Sequence, residues 1–114
     1  MRTIAPDRFE IEVLRATDPV IVMFDASWCP FCRAFRPTMA RHQDEFPWPV
    51  IAVLLDDMED SLWDTYSIDV IPTLAVFESG RSVFKADGVL GVGLGEKDIE
   101  RLREYVRSRA ASKS

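Results

Sequence analysis

The feature that most constrains the fold is a continuous apolar, mostly β-branched run at Val20–Phe24. A strand whose successive side chains are all apolar must be covered on both faces of its sheet. A second run of this kind lies at Val50–Leu55, and both are far shorter than the roughly 18 residues of a membrane-spanning helix. The two runs therefore predict an α/β fold, in which a central mixed sheet is flanked by helices on both faces.

A helix is predicted before the first strand and another after it. The spacing of Asp7 and Glu10 is that of a capping box, which predicts a short N-terminal helix carrying Phe9, Val13 and Leu14. After the strand, apolar residues recur on one helical face, in which Pro37 predicts a kink. These residues are Phe35, Met39, His42 and Phe46.

The second half of the chain predicts a helix, a β-hairpin and a closing helix. Ser79-Gly80 is a tight-turn pair between two extended segments, and a glycine-rich loop separates the hairpin from an amphipathic pattern. The predicted elements are a helix over about Glu59–Tyr66, strands Leu74–Phe77 and Arg81–Lys85, the loop Gly88–Gly95, an inward helical face of Ile99, Leu102 and Val106, and a frayed tail, Ser108–Ser114.

The composition limits the classes of function. The 114 residues suit one domain spanning 1–114, and the net charge of −5 argues against binding to nucleic acid. The N-terminal residues lack the long apolar segment of a secretory signal, so we expect a cytoplasmic monomer that does not bind membranes. Two cysteines are too few for a disulfide-rich scaffold, and their spacing indicates redox or metal chemistry.

The pair Cys29 and Cys32 lies where the first buried strand leads into a helix. Unpaired backbone N–H groups and the dipole at a helix N-terminus favour a thiolate, which is the nucleophilic form of cysteine. Pro30 is tolerated there because the N–H that it lacks would have no partner. Cys32 lies close enough to attack a mixed disulfide on Cys29. Arg33 and Arg36 add positive charge nearby, on side chains that can also point into solvent.

At these residues the sequence resembles the thioredoxin family. Trp28-Cys29-Pro30-Phe31-Cys32 is similar to the Trp-Cys-x-x-Cys motif of that family, and Pro37 falls where the family kinks its second helix. Ile71-Pro72-Thr73 matches the segment that holds a cis-proline beside the cysteines. Gly88 falls where the family has a glycine near the active-site surface. The resemblance spans nearly the whole chain and implies a thioredoxin fold.

The resemblance implies a protein-disulfide reductase, active in electron transport and cell redox homeostasis. Cys29 would attack a substrate disulfide and Cys32 would resolve the mixed disulfide, with no cofactor beyond the redox-active Cys29–Cys32 pair. The backbone of Ile71 would pair with the substrate beside a cis Pro72. The expected partners are protein disulfides and, as electron donor, a reductase or glutathione. Expected substrate-binding residues are Trp28, Pro30, Phe31, Ile71, Pro72 and Gly88.

The sequence departs from the family at several positions. Pro30-Phe31 replaces the usual Gly-Pro and is closer to the Pro-Tyr of glutaredoxins, so we expect a potential above the roughly −270 mV of thioredoxin. Met23 stands where the family buries an Asp, and Val53 replaces the lysine that approaches it. Asp25 shares a strand face with Met23, and we hypothesise that it accepts the proton of Cys32. Its alternative role is to hydrogen-bond the backbone near Ser27.

Other interpretations of these residues stay open. The cysteines could form a static disulfide, remain as buried thiols, or hold an iron–sulfur cluster shared across a dimer. Zinc needs four ligands, and His42, the single histidine, is interpreted as a residue packed with Met39 and Phe46. The loop Gly88–Gly95, about four residues longer than the family's, weakly suggests phosphate binding or partner choice.

Rival functions also remain. These are a glutaredoxin-like or isomerase-like enzyme that uses glutathione, and a non-catalytic interaction module. The acidic run of Asp56, Asp57, Glu59 and Asp60 is interpreted as a solvated helix start.

Overall fold

The structure is a computed structural model that describes residues 1–112. It contains five strands and three α-helices within this range. In chain order these are β1 (Arg2–Ile4), β2 (Val20–Asp25), α1 (Pro30–His42), β3 (Val50–Leu54), α2 (Leu62–Thr65), β4 (Thr73–Glu78), β5 (Arg81–Ala86) and α3 (Glu96–Ser112).

The strands form one mixed sheet in the order β1-β3-β2-β4-β5. Strands β1, β3 and β2 are parallel, whereas β4 is antiparallel to both β2 and β5. Strand β2 is the central strand, and every one of its residues is buried, as its apolar run predicts. Since β2 leads directly toward α1, the centre of the sheet positions the start of that helix.

One face of the sheet is covered by aromatic side chains. Phe24 and Phe77 project from β2 and β4 toward Phe9 and Tyr66. The rings of Phe9 and Phe77 meet edge to face at 5.2 Å, and those of Tyr66 and Phe77 at 5.0 Å. Edge-to-face pairs are a favoured arrangement of aromatic rings, so this cluster fixes the N-terminal segment and the chain after α2 against the sheet.

Helices α1 and α3 lie together on the opposite face. His42 at the end of α1 contacts Glu45 and, at 2.8 Å, the Oε1 atom of Glu96 at the start of α3. These carboxylates, Glu45 first, raise the pKa of His42 above its ordinary value. Packing of His42 with Met39 and Phe46 stays a prediction: its side chain is 17 % exposed, and its two ring nitrogens bind carboxylates that the sequence pattern did not indicate. Helices on both faces confirm the predicted fold class.

The N-terminal segment differs from the prediction. Strand β1 was not predicted, because a three-residue edge strand with two exposed polar residues carries no apolar pattern. Pro6–Arg8 forms a 3₁₀ turn and Glu10–Leu14 a π-helical turn, and neither has a side-chain cap in this described segment. The prediction of a capping box by Asp7 and Glu10 is therefore wrong, whereas the predicted burial of Phe9 and Val13 is confirmed.

The later helices also differ in length from the predictions. Helix α2 contains only Leu62–Thr65. Before it, Asp57 accepts a hydrogen bond from the Glu59 N–H, and Asp60 accepts one from the N–H of Leu62, the first residue of α2. Helix α3 continues through Ser112, where the tail from Ser108 was expected to fray, and Arg109 pairs with Glu78 on β4. Lys113 and Ser114, the end of that predicted tail, lie outside the described residues. None of the helices within residues 1–112 is long and apolar enough to span a bilayer.

The hairpin and its turn are confirmed. Ser79 and Gly80 both adopt positive φ, 53° and 80°, which suits the tight turns that match the twist of paired strands. Beyond β5, the loop Gly88–Gly95 leads to α3 as predicted, and Asp98 accepts a hydrogen bond from the Gly95 N–H at 2.9 Å. This bond satisfies a backbone donor at the start of α3.

Candidate active site

The sulfur of Cys29 caps the N-terminus of α1. Cys29 has extended backbone, and its Sγ accepts a hydrogen bond from the Cys32 N–H at 3.2 Å. Pro30 occupies the first helical position, as predicted. The N-terminus of a helix stabilises negative charge, so the position of Cys29 favours a thiolate on its sulfur. Its thiol contacts the carbonyl oxygen of Ile71 at 3.7 Å.

Cys32 is one helical turn further on and is completely buried. Both cysteines are free thiols in this structure. Burial raises the pKa of Cys32 well above its usual value, and the hydrogen bond to Cys29 and the negative charge of Asp25 raise it further. The two thiols therefore differ in kind: Cys29 sits at the helix terminus beside the surface, whereas Cys32 lies inside with its proton held.

Asp25 at the end of β2 is also buried, and it forms a salt bridge with Arg36 of α1. The Arg36 Nε and Nη2 atoms donate to the two carboxylate oxygens at 2.6 and 2.8 Å. Asp25 Oδ1 also accepts from the Ala26 N–H at 2.7 Å, and the Ala26 carbonyl accepts from Arg36 at 3.0 Å. The Asp25 carboxylate raises the pKa of Arg36.

This salt bridge determines what Asp25 can do. The Arg36 side chain does not extend into solvent, which the sequence left open. It covers the Asp25 carboxylate from the side of α1. Both Asp25 oxygens already accept hydrogen bonds, so taking a proton from Cys32 requires that the Arg36 contact loosen. The bond to the Ala26 N–H agrees with the alternative role proposed for Asp25 near Ser27.

Asp56 holds the segment that precedes Cys29. Its carboxylate accepts from the Ser27 N–H at 2.7 Å and from the Ser27 hydroxyl at 2.8 Å, and these bonds lower the pKa of Asp56. The Trp28 indole N–H donates to the Asp56 carbonyl at 3.1 Å. Asp56 is exposed, as the predicted solvated run implies, but α2 begins only at Leu62, and the Asp56 carboxylate anchors the loop between β2 and α1.

The segment Ile71-Pro72-Thr73 closes the site from the other side. The Ile71–Pro72 peptide bond is cis. A Cβ on Gly88 would lie 2.3 Å from the Pro72 carbonyl oxygen, so only glycine fits at this close approach. Thr73 Oγ1 donates to the Val70 carbonyl at 2.6 Å and accepts from the Gly88 N–H at 3.5 Å.

An apolar groove of about 280 Å³ runs beside Cys29. Its lining includes Cys29, Pro30, Phe31 and Ile71, with Trp28 at one side. Trp28 is 49 % exposed and Phe31 38 %, and contiguous exposed apolar side chains mark sites of interaction. Cys29, although only 4 % exposed, therefore lines the groove, whereas Cys32 is completely buried and does not line it.

Comparison with known proteins shows what this arrangement is. The family model for thioredoxin matches residues 1–101. The chain belongs to the thioredoxin family. It is 33% identical over 79 residues to the thioredoxin of Acidithiobacillus ferridurans, covering 68% of this chain and 73% of that protein.

Two further thioredoxins are similar to the chain over comparable lengths. Thioredoxin 1 of Synechococcus elongatus is 36% identical over 84 residues, covering 73% of this chain and 76% of its own length. The thioredoxin of Streptomyces clavuligerus is 31% identical over 83 residues, covering 73% and 78%. Membership of the thioredoxin family makes the chain a thiol–disulfide oxidoreductase in general terms.

The structure brings the predicted site residues together around Cys29. Within this thioredoxin fold, Trp28, Pro30, Phe31 and Ile71 line one groove with the thiol, and Pro72 and Gly88 support it from behind. Sequence reasoning placed Arg36 near the cysteines but missed its salt bridge with Asp25, and it missed Asp56 as a residue of the site. The spacing of Cys32 and Arg36, four apart on a helix, could have placed Arg36 beneath the thiols.

The structure also describes the two positions at which the sequence departs from the thioredoxin family, and it bears on metal binding. Met23 and Val53 are both completely buried among apolar residues, where the family resemblance implied a charged pair. Within residues 1–112, the histidine, cysteine and acidic side chains form no cluster of three or more that could hold a metal ion.

We predict that the Asp25–Arg36 salt bridge contributes strongly to stability. Replacing Arg36 by Met leaves the buried carboxylate without its counter-ion, which typically costs about 3 kcal/mol of the free energy of unfolding. The double variant Asp25→Asn/Arg36→Met, which removes the uncompensated charge, should be more stable than Arg36→Met alone. Urea unfolding measures both values.

Arg33→Met is the matched control, because Arg33 is exposed on the same helix and surface substitutions typically change stability by less than about 0.5 kcal/mol. A loss for Arg36→Met no larger than that for Arg33→Met would contradict this role of the salt bridge.

Proposed function

We propose that the protein reduces disulfides of other proteins, with Cys29 as nucleophile and Cys32 as resolving thiol. The single observation that carries this proposal is the asymmetry of the two thiols. Cys29 Sγ caps α1, and Cys29, 4 % exposed, lines the apolar groove, whereas Cys32 is completely buried and does not line it. A substrate sulfur can reach the first thiol only, and the second can reach only a disulfide formed on the first.

The proposed cycle balances in two exchange steps. The Cys29 thiolate attacks one sulfur of the substrate disulfide, a mixed disulfide forms, and the other substrate sulfur leaves as a thiolate. Cys32 then loses its proton and attacks the Cys29 sulfur, so that the second substrate thiolate leaves. The protein ends with a Cys29–Cys32 disulfide and the substrate gains two electrons. No other cofactor is required, and a reductase or glutathione restores the dithiol.

The groove residues and the cellular setting complete the proposal. Trp28, Pro30 and Phe31 contact the substrate beside Cys29, and the Ile71 backbone next to Pro72 pairs with it, as the resemblance implies. Gly88 keeps its space open for this pairing. Reduction of disulfides suits a cytoplasmic protein, because that compartment keeps thiols reduced.

Trapping of a substrate tests this function. Cys32→Ser should capture urea-unfolded, disulfide-intact lysozyme as a covalent adduct that dithiothreitol releases, because the mixed disulfide on Cys29 then has no resolving thiol. The adduct is measured by non-reducing electrophoresis and mass spectrometry.

Cys29→Ser is the matched control and should give no adduct. Equal recovery of lysozyme with both variants, unchanged by dithiothreitol, would contradict the reductase and support a non-catalytic interaction module.

We further propose that Asp25 accepts the proton of Cys32 when the contact with Arg36 loosens. Its position supports this role: Asp25 is buried, and its negative charge contributes to the raised pKa of Cys32. Asp25→Asn should slow resolution of the mixed disulfide by about 100-fold, a typical contribution of a general base. Stopped-flow reaction with excess 5,5′-dithiobis(2-nitrobenzoate) resolves the second, first-order release of the coloured thiolate.

Asp98→Asn is the matched control, because Asp98 is a buried carboxylate at the start of α3, far along the chain from both cysteines. Faster resolution in Asp25→Asn would contradict the proposal, since it would show that the negative charge of Asp25 only holds the proton on Cys32. An unchanged rate would contradict it as well.

A further inference from the structure

The loop between β5 and α3 holds apolar side chains out in solvent. Leu90 is 83 % exposed and Val92 64 %, and Leu90 is the most exposed of the large apolar side chains within residues 1–112. Burying such side chains would stabilise the fold, so an ordered loop that presents them to water needs another explanation.

Backbone hydrogen bonds keep this loop in place. Val89 and Gly93 pair as an isolated bridge, with the Gly93 N–H donating to the Val89 carbonyl at 2.8 Å and the Val89 N–H to the Gly93 carbonyl at 3.1 Å. The Val92 N–H donates to the same Val89 carbonyl at 2.9 Å. The exposure of Leu90 is therefore a feature of a closed turn and not of a loose strand.

The turn is packed against Phe31, one of the two residues between the cysteines. Gly93 has a φ of 83°, and a Cβ at this position would lie 2.9 Å from the Cβ of Phe31. Glycine at this position allows the loop to approach Phe31 this closely. The position of Leu90 is thereby tied to the first turn of α1, and so to Cys29.

Leu90 extends the groove that contains the reactive thiol. Leu90 and Gly91 line this groove together with Cys29, and Met58, which is 72 % exposed, lines it too. Asp69 is the charged residue among the lining residues. A ligand that fills the groove beside Cys29 therefore contacts Leu90 in a mostly apolar channel that carries a negative charge.

We propose that Leu90 selects substrates in which apolar side chains flank the disulfide-bonded cysteine in an extended polypeptide segment. This inference rests on the function proposed above and names its substrate class. Continuity of the Leu90 surface with Cys29 supports a polypeptide that runs along the groove. The apolar lining and Asp69 favour such segments over polar or acidic polypeptide substrates, which carry no apolar side chain to fill the channel.

Two synthetic peptides test the proposal. Each carries one cysteine in a disulfide with 2-nitro-5-thiobenzoate, flanked on both sides by leucine in one peptide and by serine in the other. Release of the coloured thiolate from each peptide by the fully reduced protein gives a second-order rate constant. The leucine peptide should react faster, and Leu90→Ser should lower the leucine-to-serine ratio about tenfold, as expected for loss of a large apolar contact.

Ile11→Ser is the matched control, because Ile11 is an exposed apolar residue in the N-terminal π-helical turn, outside the groove lining, and it should keep the wild-type ratio. Equal reaction of the two peptides, or a ratio that Leu90→Ser does not change, would overturn the proposal. A dimer seen by analytical ultracentrifugation that Leu90→Ser dissociates would overturn it too, by assigning the groove to a second copy.

The same experiment separates this inference from the function on which it rests. If Cys29→Ser abolishes release from both peptides while Leu90→Ser leaves their ratio unchanged, the reductase stands and the substrate class fails. If Cys29→Ser reacts as fast as the wild type, the proposed function fails and the inference fails with it.

Discussion

The salt bridge between Asp25 and Arg36 is the interaction on which the arrangement of the site depends. It joins the last residue of β2 to the second turn of α1, and both partners also bind the peptide group of Ala26. The Ala26 carbonyl in turn accepts the Cys29 N–H at 3.3 Å. One ion pair thus fixes the strand end, the connecting loop and the helix that carries both thiols.

The site combines this rigid junction with close backbone contacts. Asp56, two residues beyond the end of β3, anchors Ser27 and Trp28, while Gly88 lies against Pro72 and Gly93 against Phe31. These contacts place loops beside Cys29, which is 4 % exposed and lines the apolar groove. The result is a thiol at a helix N-terminus in an apolar groove. Such a position favours the thiolate, which is the form that attacks disulfides.

Much of this fold follows from sequence patterns, and the failures have physical causes. The apolar runs predicted β2 and β3, and Ser79-Gly80 predicted the hairpin, because burial and turn geometry are local signals. The salt bridge of Arg36 and the surface contacts of His42 depend on which residues face each other after folding. Strand β1 and the π-helical turn were not predicted for a related reason. They are stabilised by partners in the sheet and in the aromatic cluster, and their own sequence carries no local signal for them.

The central claim is that Cys29 and Cys32 interconvert reversibly between dithiol and disulfide. Equilibration in glutathione buffers of graded potential, followed by Trp28 fluorescence and thiol alkylation, measures this directly. The account predicts one two-electron transition at a potential above the roughly −270 mV of thioredoxin, because Pro30-Phe31 replaces Gly-Pro. A transition at or below that value would contradict the effect assigned to Pro30-Phe31. The absence of any reversible transition would contradict the account itself.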